Sequence, residues 1–273
     1  MTITLNPQRI AGVVLRALSD TLTTIRIGVP AIQEADFAEP RDVDAPRVNS
    51  PPPADGRRVP MSFRLSGDKR KPEDKKAACL NWLLSRGFQE LARAVRNALE
   101  EVHVYIAIVQ YAGTHESMTW GEFQDAIAPA RKQARKLNFP GLMEAVNKGL
   151  SKPLHFEKEF LSFQKVRNCL EHRDGRVTQT DTDDGKTLVL SLPRMMLFYE
   201  RGGQEIEIRI GERIEGEDGE GVHVFMRMIT DTREFRVGER ISFSADEFDE
   251  IGYGCWAFAN DLSNKLPTPE DEG

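Results

Sequence analysis

An arginine, an asparagine and a histidine stand close together in residues 167–172, which read Arg-Asn-Cys-Leu-Glu-His. Histidine side chains titrate near neutral pH, so His172 can take the proton of a 2′-hydroxyl or give one to a leaving oxygen. The Arg167 guanidinium can stabilise the extra negative charge of a phosphorane-like transition state. The Asn168 amide can orient the phosphate or hold the imidazole. These residue types therefore suit cleavage of a phosphodiester without a metal ion.

The same residues also have a purely structural interpretation. Arg167 can pair with Glu171 one helical turn later, and Asn168 can lie exposed. His172 can cap the last carbonyl groups of a helix as a C-terminal cation. The sequence leaves both interpretations open.

A second copy of the pattern, Arg96-Asn97 with His103, fits a looser Arg-x6-His form. We expect Arg96 to pair with Glu100 on a long helix and His103 to pack inside a helical bundle. The copy at residues 167–172 is preferred because a glycine stop follows it directly. His115, His155 and His223 are expected on the surface or in loops.

Apolar spacing predicts a helix that carries the preferred motif. At about 100° per residue, one arc of this helix holds five large apolar residues. They are Phe156, Phe160, Phe163, Val166 and Leu170. Asn168 and His172 share a different face with Lys165, and Asp174-Gly175 provides a left-handed stop. The helix should bury its apolar arc and leave the polar residues accessible.

The chain before this helix is predicted to be helical apart from one proline-rich segment. We expect an N-terminal helix in residues 1–29, a linker or mobile loop in 30–73, and an antiparallel bundle in 74–175. The bundle's spine is one long helix, or two broken near Gly87. Thr119 and Glu122 form a capping box, Pro129 should kink or divide the helix that follows, and Pro140-Gly141 should end it.

After Gly175 the apolar period changes from helical to alternating. Gly202-Gly203 predicts a two-residue hairpin between strands at 196–201 and 204–210. Turn signals, among them one at 230–232, predict further strands at 222–229, 234–237 and 241–243. Ser244 and Glu247 form a capping box for a last helix, which should cover the sheet. The prediction is an α+β protein with a meander of four to six strands plus a helix in 176–266, followed by an acidic tail at 267–273.

Composition and charge limit the functional classes. No apolar run is long enough to span a bilayer and no signal peptide is recognisable at the N-terminus, so we expect a cytoplasmic protein. Cys79, Cys169 and Cys255 are predicted to be small core residues in a reducing compartment. Residues 1–175 carry 26 Lys/Arg against 21 Asp/Glu, whereas residues 176–273 carry 11 against 22. The mildly basic first part is compatible with a nucleic-acid partner.

The motif at residues 167–172 resembles the RxxxxH motif of HEPN domains, the "higher eukaryote and prokaryote nucleotide-binding" superfamily, in its form with a polar residue after the arginine. The helix stop and strand that follow are also similar to many bacterial members. The resemblance covers at most residues 74–175, or these residues together with the first helix. It implies a dimerising bundle of four or five helices, in which two motif helices form one metal-independent endoribonuclease site.

Carried over residue by residue, the resemblance makes Arg167 and His172 catalytic and Asn168 their polar support. It implies a homodimeric hydrolase that cleaves RNA, acts as a toxin or in phage defence, and has an antitoxin or other regulatory protein as a possible partner. No cofactor, metal or membrane is implied. A ridge of four basic residues could contact the RNA backbone, although by itself the pattern favours an ordinary solvated helix face; the ridge comprises Arg131, Lys132, Arg135 and Lys136. The alternative is a non-catalytic HEPN-like module for dimerisation or partner binding.

Overall fold

The computed structural model describes residues 6–37, 70–114, 119–208, 212, 214 and 222–267. Over these residues the chain forms six α-helices and one three-stranded antiparallel sheet, which confirms the α+β prediction. The helices are α1 Pro7–Glu34, α2 Pro72–Thr114, α3 Trp120–Lys136, α4 Phe139–Gly149, α5 Glu157–His172 and α6 Ala245–Asn264. The strands are β1 Thr187–Arg201, β2 Gln204–Glu207 and β3 Phe225–Arg236. None of the described helices is long and apolar enough to cross a membrane.

The N-terminal helix ends later in the chain than predicted. Asn6 caps α1 by accepting a hydrogen bond from the Gln8 backbone N–H at 3.0 Å. The helix then continues through Pro30, where the linker was expected to begin, as far as Glu34. Pro30 is exposed, so its missing N–H costs the helix one bond without creating a buried unsatisfied group. Residues 38–69 of the predicted linker lie outside the described part of the chain.

Helix α2 is a continuous spine of 43 residues, and Gly87 does not break it. A Cβ atom at Gly87 would lie 2.9 Å from Ile25 Cδ1 of α1 and 3.0 Å from Phe248 Cε1 of α6. Such distances are too short for a side chain. Gly87 therefore leaves room beside the spine for side chains of α1 and α6.

Neither Pro129 nor Pro140 divides or ends a helix. Pro129 lies inside α3, which runs unbroken from Trp120, and the capping box of Thr119 and Glu122 begins this helix as predicted. Pro140 does not end the segment but stands in the first turn of α4, where its missing N–H costs nothing. Asn138 caps this helix by accepting a hydrogen bond from the Gly141 N–H at 2.9 Å.

The sheet has the strand order β2-β1-β3. The hairpin at Gly202-Gly203 is confirmed, since both glycines have positive φ, 60° and 76°, as a type I′ turn requires. The predicted turn at 230–232 is wrong, because β3 pairs with β1 without interruption from Phe225 to Arg236. The described residues thus form three strands and not the predicted four to six. Residues 241–243 form no strand, and residues 209–210 of the predicted second hairpin strand lie outside the described chain.

Helix α5 covers the edge of β1 that β2 leaves free. The Ser162 hydroxyl accepts a hydrogen bond from the Ser191 N–H at 2.8 Å and donates one to the Ser191 carbonyl at 3.1 Å. Two residues further on, Pro193 has no N–H to satisfy at this edge. The contact fixes α5 against the sheet and thereby fixes the end of α5 that carries the motif.

One apolar core joins the helices to the sheet. The Phe88 ring of α2 lies 4.1 Å from that of Phe163 in α5 and 4.9 Å from that of Phe243, measured between centroids. Helix α6 begins at the predicted capping box of Ser244 and Glu247 and packs against β1 as well as α1 and α2. The division between 74–175 and 176–266 stays a prediction about the sequence, and the core runs across it.

Candidate functional site

The motif lies at the C-terminal end of α5, on the side away from the core. Four of the five residues of the predicted apolar arc, Phe160, Phe163, Val166 and Leu170, are buried, and Cys169 is buried beside them. The fifth, Phe156, precedes the helix and is only partly buried. This burial leaves the intervening residues, Arg167, Asn168, Glu171 and His172, on the outward side of the helix. The amphipathic pattern of α5 therefore positions the polar residues of the motif.

The predicted helix stop is confirmed. Asp174 and Gly175 have φ angles of 51° and 73°, and the N–H groups of Arg173 and Gly175 both donate to the Cys169 carbonyl, at 3.0 and 3.1 Å. This arrangement satisfies the last turn of the helix. The Gly175 carbonyl then accepts a hydrogen bond from the Ile241 N–H at 2.8 Å, which holds the chain that leaves the helix.

Arg167 and Asn168 form a small hydrogen-bonded group. The Asn168 Oδ1 atom accepts hydrogen bonds from Arg167 Nη1 at 3.2 Å and from Gln164 Nε2 at 2.9 Å. Arg167 Nη2 also lies 2.5 Å from Glu171 Oε2, and its side chain is only 24% exposed. Arg167 is thus held by its own helix in an orientation set by two neighbours, with the Glu171 carboxylate against its charge.

His172 is the last residue of α5, and its side chain is 61% exposed. Its Nε2 atom lies 3.8 Å from the same Glu171 oxygen that binds Arg167. Glu171 therefore contacts both predicted catalytic residues. The sequence predicted its pairing with Arg167 but not its proximity to His172.

A buried ion pair next to the motif was not predicted. Arg173 binds the Asp181 carboxylate through Nε at 2.9 Å and through Nη2, and the Asp181 side chain is 1% exposed. Burial alone would raise the pKa of Asp181, but hydrogen bonds from the Thr178 N–H and hydroxyl and from Arg173 outweigh it and lower the pKa. The sequence signal was the Thr178-x-x-Asp181 spacing of a capping box. This pair ties the end of α5 to the chain that follows it.

The cysteines divide into two environments. Cys169 and Cys255 are buried as predicted, whereas Cys79 is exposed and that part of the prediction is wrong. Cys79 stands near the start of α2, before the spine becomes covered by other helices. Burial and the nearby Asp181 raise the pKa of Cys169 to about 11, and burial raises the pKa of Cys255 to about 12. Both buried thiols are therefore protonated and unreactive at neutral pH.

The predicted basic ridge is present on α3. Arg131, Lys132, Arg135 and Lys136 are all exposed and line a shallow groove with Gln124 and Ala128. Within the described chain none of the four basic side chains has an ion-pair or hydrogen-bond partner. The structure does not bring the ridge and the motif together, since α3 packs on α2 while α5 packs on α2, α4 and β1.

The remaining histidines lie apart from the motif in sequence and differ in how far they are exposed. His155 Nδ1 lies 2.8 Å from the Asp261 carboxylate, and its side chain is 71% exposed, as expected for a loop residue. His223 is exposed, His103 is partly buried, and His115 lies outside the described residues. Within the described chain, no group of three or more His, Cys, Asp and Glu side chains could hold a metal ion.

Comparison with known proteins gives no further assignment. No family model matches the chain, and neither a characterised protein nor a solved structure matches it.

Proposed function

We propose that this chain is a metal-independent endoribonuclease of the HEPN type, which cleaves RNA at a site shared by two copies of α5. The observation that carries the proposal is the arrangement at the end of α5. Arg167 is oriented by Asn168, and His172 stands exposed one turn further on. A toxin or phage-defence role, a cytoplasmic location and a regulatory antitoxin belong to the same proposal, because they follow from the resemblance.

The chemistry requires no group beyond these side chains and the RNA. One imidazole removes the proton of a 2′-hydroxyl, whose oxygen then attacks the adjacent phosphorus. The bond from phosphorus to the 5′ oxygen breaks, and this oxygen leaves with a proton supplied by the second copy's imidazole. Arg167 stabilises the charge that develops on the phosphoryl oxygens. The products are a 2′,3′-cyclic phosphate and a 5′-hydroxyl.

Glu171 controls whether Arg167 is available for this role. The carboxylate holds the guanidinium at 2.5 Å, so an RNA phosphate must displace it or share the guanidinium with it. The pair is accessible, with side chains 24% and 35% exposed, and ion pairs of this kind contribute at most about 1 kcal/mol. A bound phosphate can therefore replace Glu171 at small cost.

The basic ridge on α3 supports the same proposal. Four exposed cations without partners in the described chain suit contacts with a phosphate backbone, which are independent of sequence. Arg135 and Lys136 also lie in the last turn of α3, where the helix dipole favours cations. The ridge guides the RNA strand in this proposal, while the α5 site cleaves it.

The alternative is a non-catalytic module for dimerisation or partner binding. The pairing of Arg167 with Glu171 favours it, because the arginine then has a structural partner within its own helix. The two functions differ in what Glu171 does. In a nuclease Glu171 competes with the phosphate, whereas in a binding module it completes the surface.

The test is cleavage of a mixed RNA pool in EDTA by the wild type and by Glu171→Gln. We expect wild-type products with cyclic phosphate ends, and equal or faster cleavage by Glu171→Gln, because the amide keeps the shape of the side chain without its charge. An RNA in which 2′-deoxynucleotides replace the ribonucleotides should resist cleavage. An uncleaved RNA pool with both folded proteins would favour the binding module.

A further inference from the structure

Among the described residues, β3 is an edge strand of the sheet and is twelve residues long. The Leu197 carbonyl of β1 accepts a hydrogen bond from the Ile208 N–H, at 2.8 Å, on the side of β1 where β2 lies. Because backbone groups alternate in direction along a strand, all odd-numbered residues of β1 direct their N–H and C=O groups toward this side, away from β3. In the observed register these residues stand opposite even-numbered residues of β3, for example Ser191 opposite Thr232. The even-numbered residues from 226 to 234 therefore direct their N–H and C=O groups outward. Within the described chain, no hydrogen bond reaches these groups.

The same edge exposes apolar side chains. Phe225 is 45% exposed, Met226 67% and Met228 40%. Strand β3 contains neither lysine nor proline, two residues with which natural proteins block sheet edges. The Met228 sulfur also lies 3.5 Å from the Tyr253 hydroxyl, and the Tyr253 ring contacts the exposed ring of Trp256. The apolar surface thus continues from β3 onto α6.

We propose that β3 pairs antiparallel with β3 of a second copy of this chain, about a twofold axis at Ile229. Outward backbone groups can bond only to outward groups, so even-numbered residues must face even-numbered residues of the second copy. An axis at Ile229 meets this condition. It also places Arg227 opposite Asp231 of the second copy, twice by symmetry.

Charge favours this register over those with an axis at Thr230 or at Asp231. An axis at Thr230 would place Arg227 opposite Arg233, and an axis at Asp231 would place two aspartates face to face, both unfavourable. Within the described chain, no cation lies within ion-pair distance of Asp231, although Arg194 attracts it at longer range. Arg227 already binds Glu205 at 2.6 Å. The second copy's Arg227 would therefore give Asp231 a partner and extend an existing pair into a network. The interface does not use the motif residues, because α5 reaches β3 through Glu159 near its start, which accepts a hydrogen bond from the Thr230 hydroxyl at 2.7 Å, whereas the motif lies at its C-terminal end.

A disulfide tests the register directly. At the axis, Ile229 faces itself in a non-hydrogen-bonded pair with Cα atoms about 4.5 Å apart, within the range a disulfide spans. In a Cys79→Ser background, which removes the exposed cysteine, Ile229→Cys should form a disulfide-linked dimer on mild oxidation. The matched control is Thr232→Cys, which faces Met226 of the second copy and should yield at least about tenfold less. Equal yields from the two variants would overturn the proposal.

A proline tests the edge itself. The Thr232 N–H points outward, so Thr232→Pro removes a bond to the second copy and none to β1. We expect sedimentation equilibrium to show that Thr232→Pro has half the mass of the wild type, and that Thr232→Val has the wild-type mass. A wild type of single-chain mass, or a Thr232→Pro variant of unchanged mass, would overturn the proposal. Neither readout depends on RNA cleavage, so the nuclease can fail while this interface stands.

Discussion

The chain contains two Arg-Asn…His groups, and the structure places them in different environments. In the middle of α2, Arg96 binds Glu100 at 2.9 Å and also donates to the Leu137 carbonyl at the end of α3, at 2.9 Å. At the end of α5, Arg167 binds Glu171 and the neighbouring Asn168. The two arginines are almost equally exposed, at 27% and 24%. The two arginines differ in the partner they bind besides the glutamate of their own helix.

The second contact of Arg96 joins two helices, whereas that of Arg167 stays within the motif. Asn97 is exposed and makes no hydrogen bond with Arg96, while Asn168 orients Arg167. His103 is partly buried in mid-helix, and His172 is an exposed helix end. Arg96 is therefore a structural residue that links two helices, whereas Arg167 is oriented by contacts within its own motif. The predictions below test this contrast.

The largest expected effect is on RNA cleavage. Under the nuclease proposal, Arg167→Ala should slow cleavage by about 10²- to 10³-fold, the usual consequence of removing a group that stabilises the transition state. Arg96→Ala, the matched control, should cleave within about threefold of the wild type once its folded fraction is accounted for. Initial rates on a labelled RNA measure both. Equal losses in the two variants would remove the contrast.

The next effect concerns the ion pair that fixes the end of α5. Asp181→Asn should lower the free energy of unfolding by about 3 kcal/mol, because it leaves the Arg173 charge without its partner. The same group predicts a pH dependence. The pKa of Asp181 is lower in the folded state than in the unfolded state. The stability that the Asp181 carboxylate contributes is therefore lost as the pH falls through and below the ordinary pKa of an aspartate. Urea unfolding at several pH values measures both, and Asp181→Asn should show a weaker acid dependence than the wild type.

A smaller effect separates the two arginines by stability. Arg96→Ala should cost about 1–2 kcal/mol, since it leaves the Leu137 carbonyl without a donor and loosens α3 from α2. Arg167→Ala should cost about 0.5 kcal/mol, because it breaks only contacts within one helix. Thermal unfolding of the two variants gives the difference. A larger loss for Arg167→Ala would mean that the motif is structural.

The smallest effect is expected at Lys165, which shares the motif's face of α5. It binds Asp183 at 2.5 Å, but the Asp183 side chain is 88% exposed. Lys165→Ala should therefore change stability by less than about 0.5 kcal/mol. A loss above about 1 kcal/mol, again by thermal unfolding, would show that the outward face of α5 is more constrained than the contacts indicate.

Local signals in the sequence predicted the features that depend on neighbouring residues. The capping boxes of α3 and α6, the Gly202-Gly203 hairpin, the stop at Gly175 and the pairing of Arg96 with Glu100 are all confirmed. Each depends on residues within a few positions of one another. Their chemistry is therefore complete in the local sequence.

Features that depend on distant contacts were predicted less well. Gly87 was expected as a possible break, but it admits side chains of α1 and α6. The turn signal at 230–232 was overridden by pairing with β1 along the whole of β3. The ion pair between Arg173 and Asp181 joins two ends of a loop, and the sequence does not specify the path of this loop. Tertiary packing decided each of these.

The most direct test of the central claim compares the two histidines. Purified wild type, His172→Ala and His103→Ala, each shown to be folded and of equal mass, are incubated with RNA in EDTA. The account predicts that His103→Ala cleaves like the wild type and that His172→Ala loses at least about 10²-fold, with cyclic phosphate ends in every product. Cleavage by His172→Ala at the wild-type rate would contradict the proposed nuclease site. A wild type that cleaves RNA only when a metal ion is added would contradict it as well.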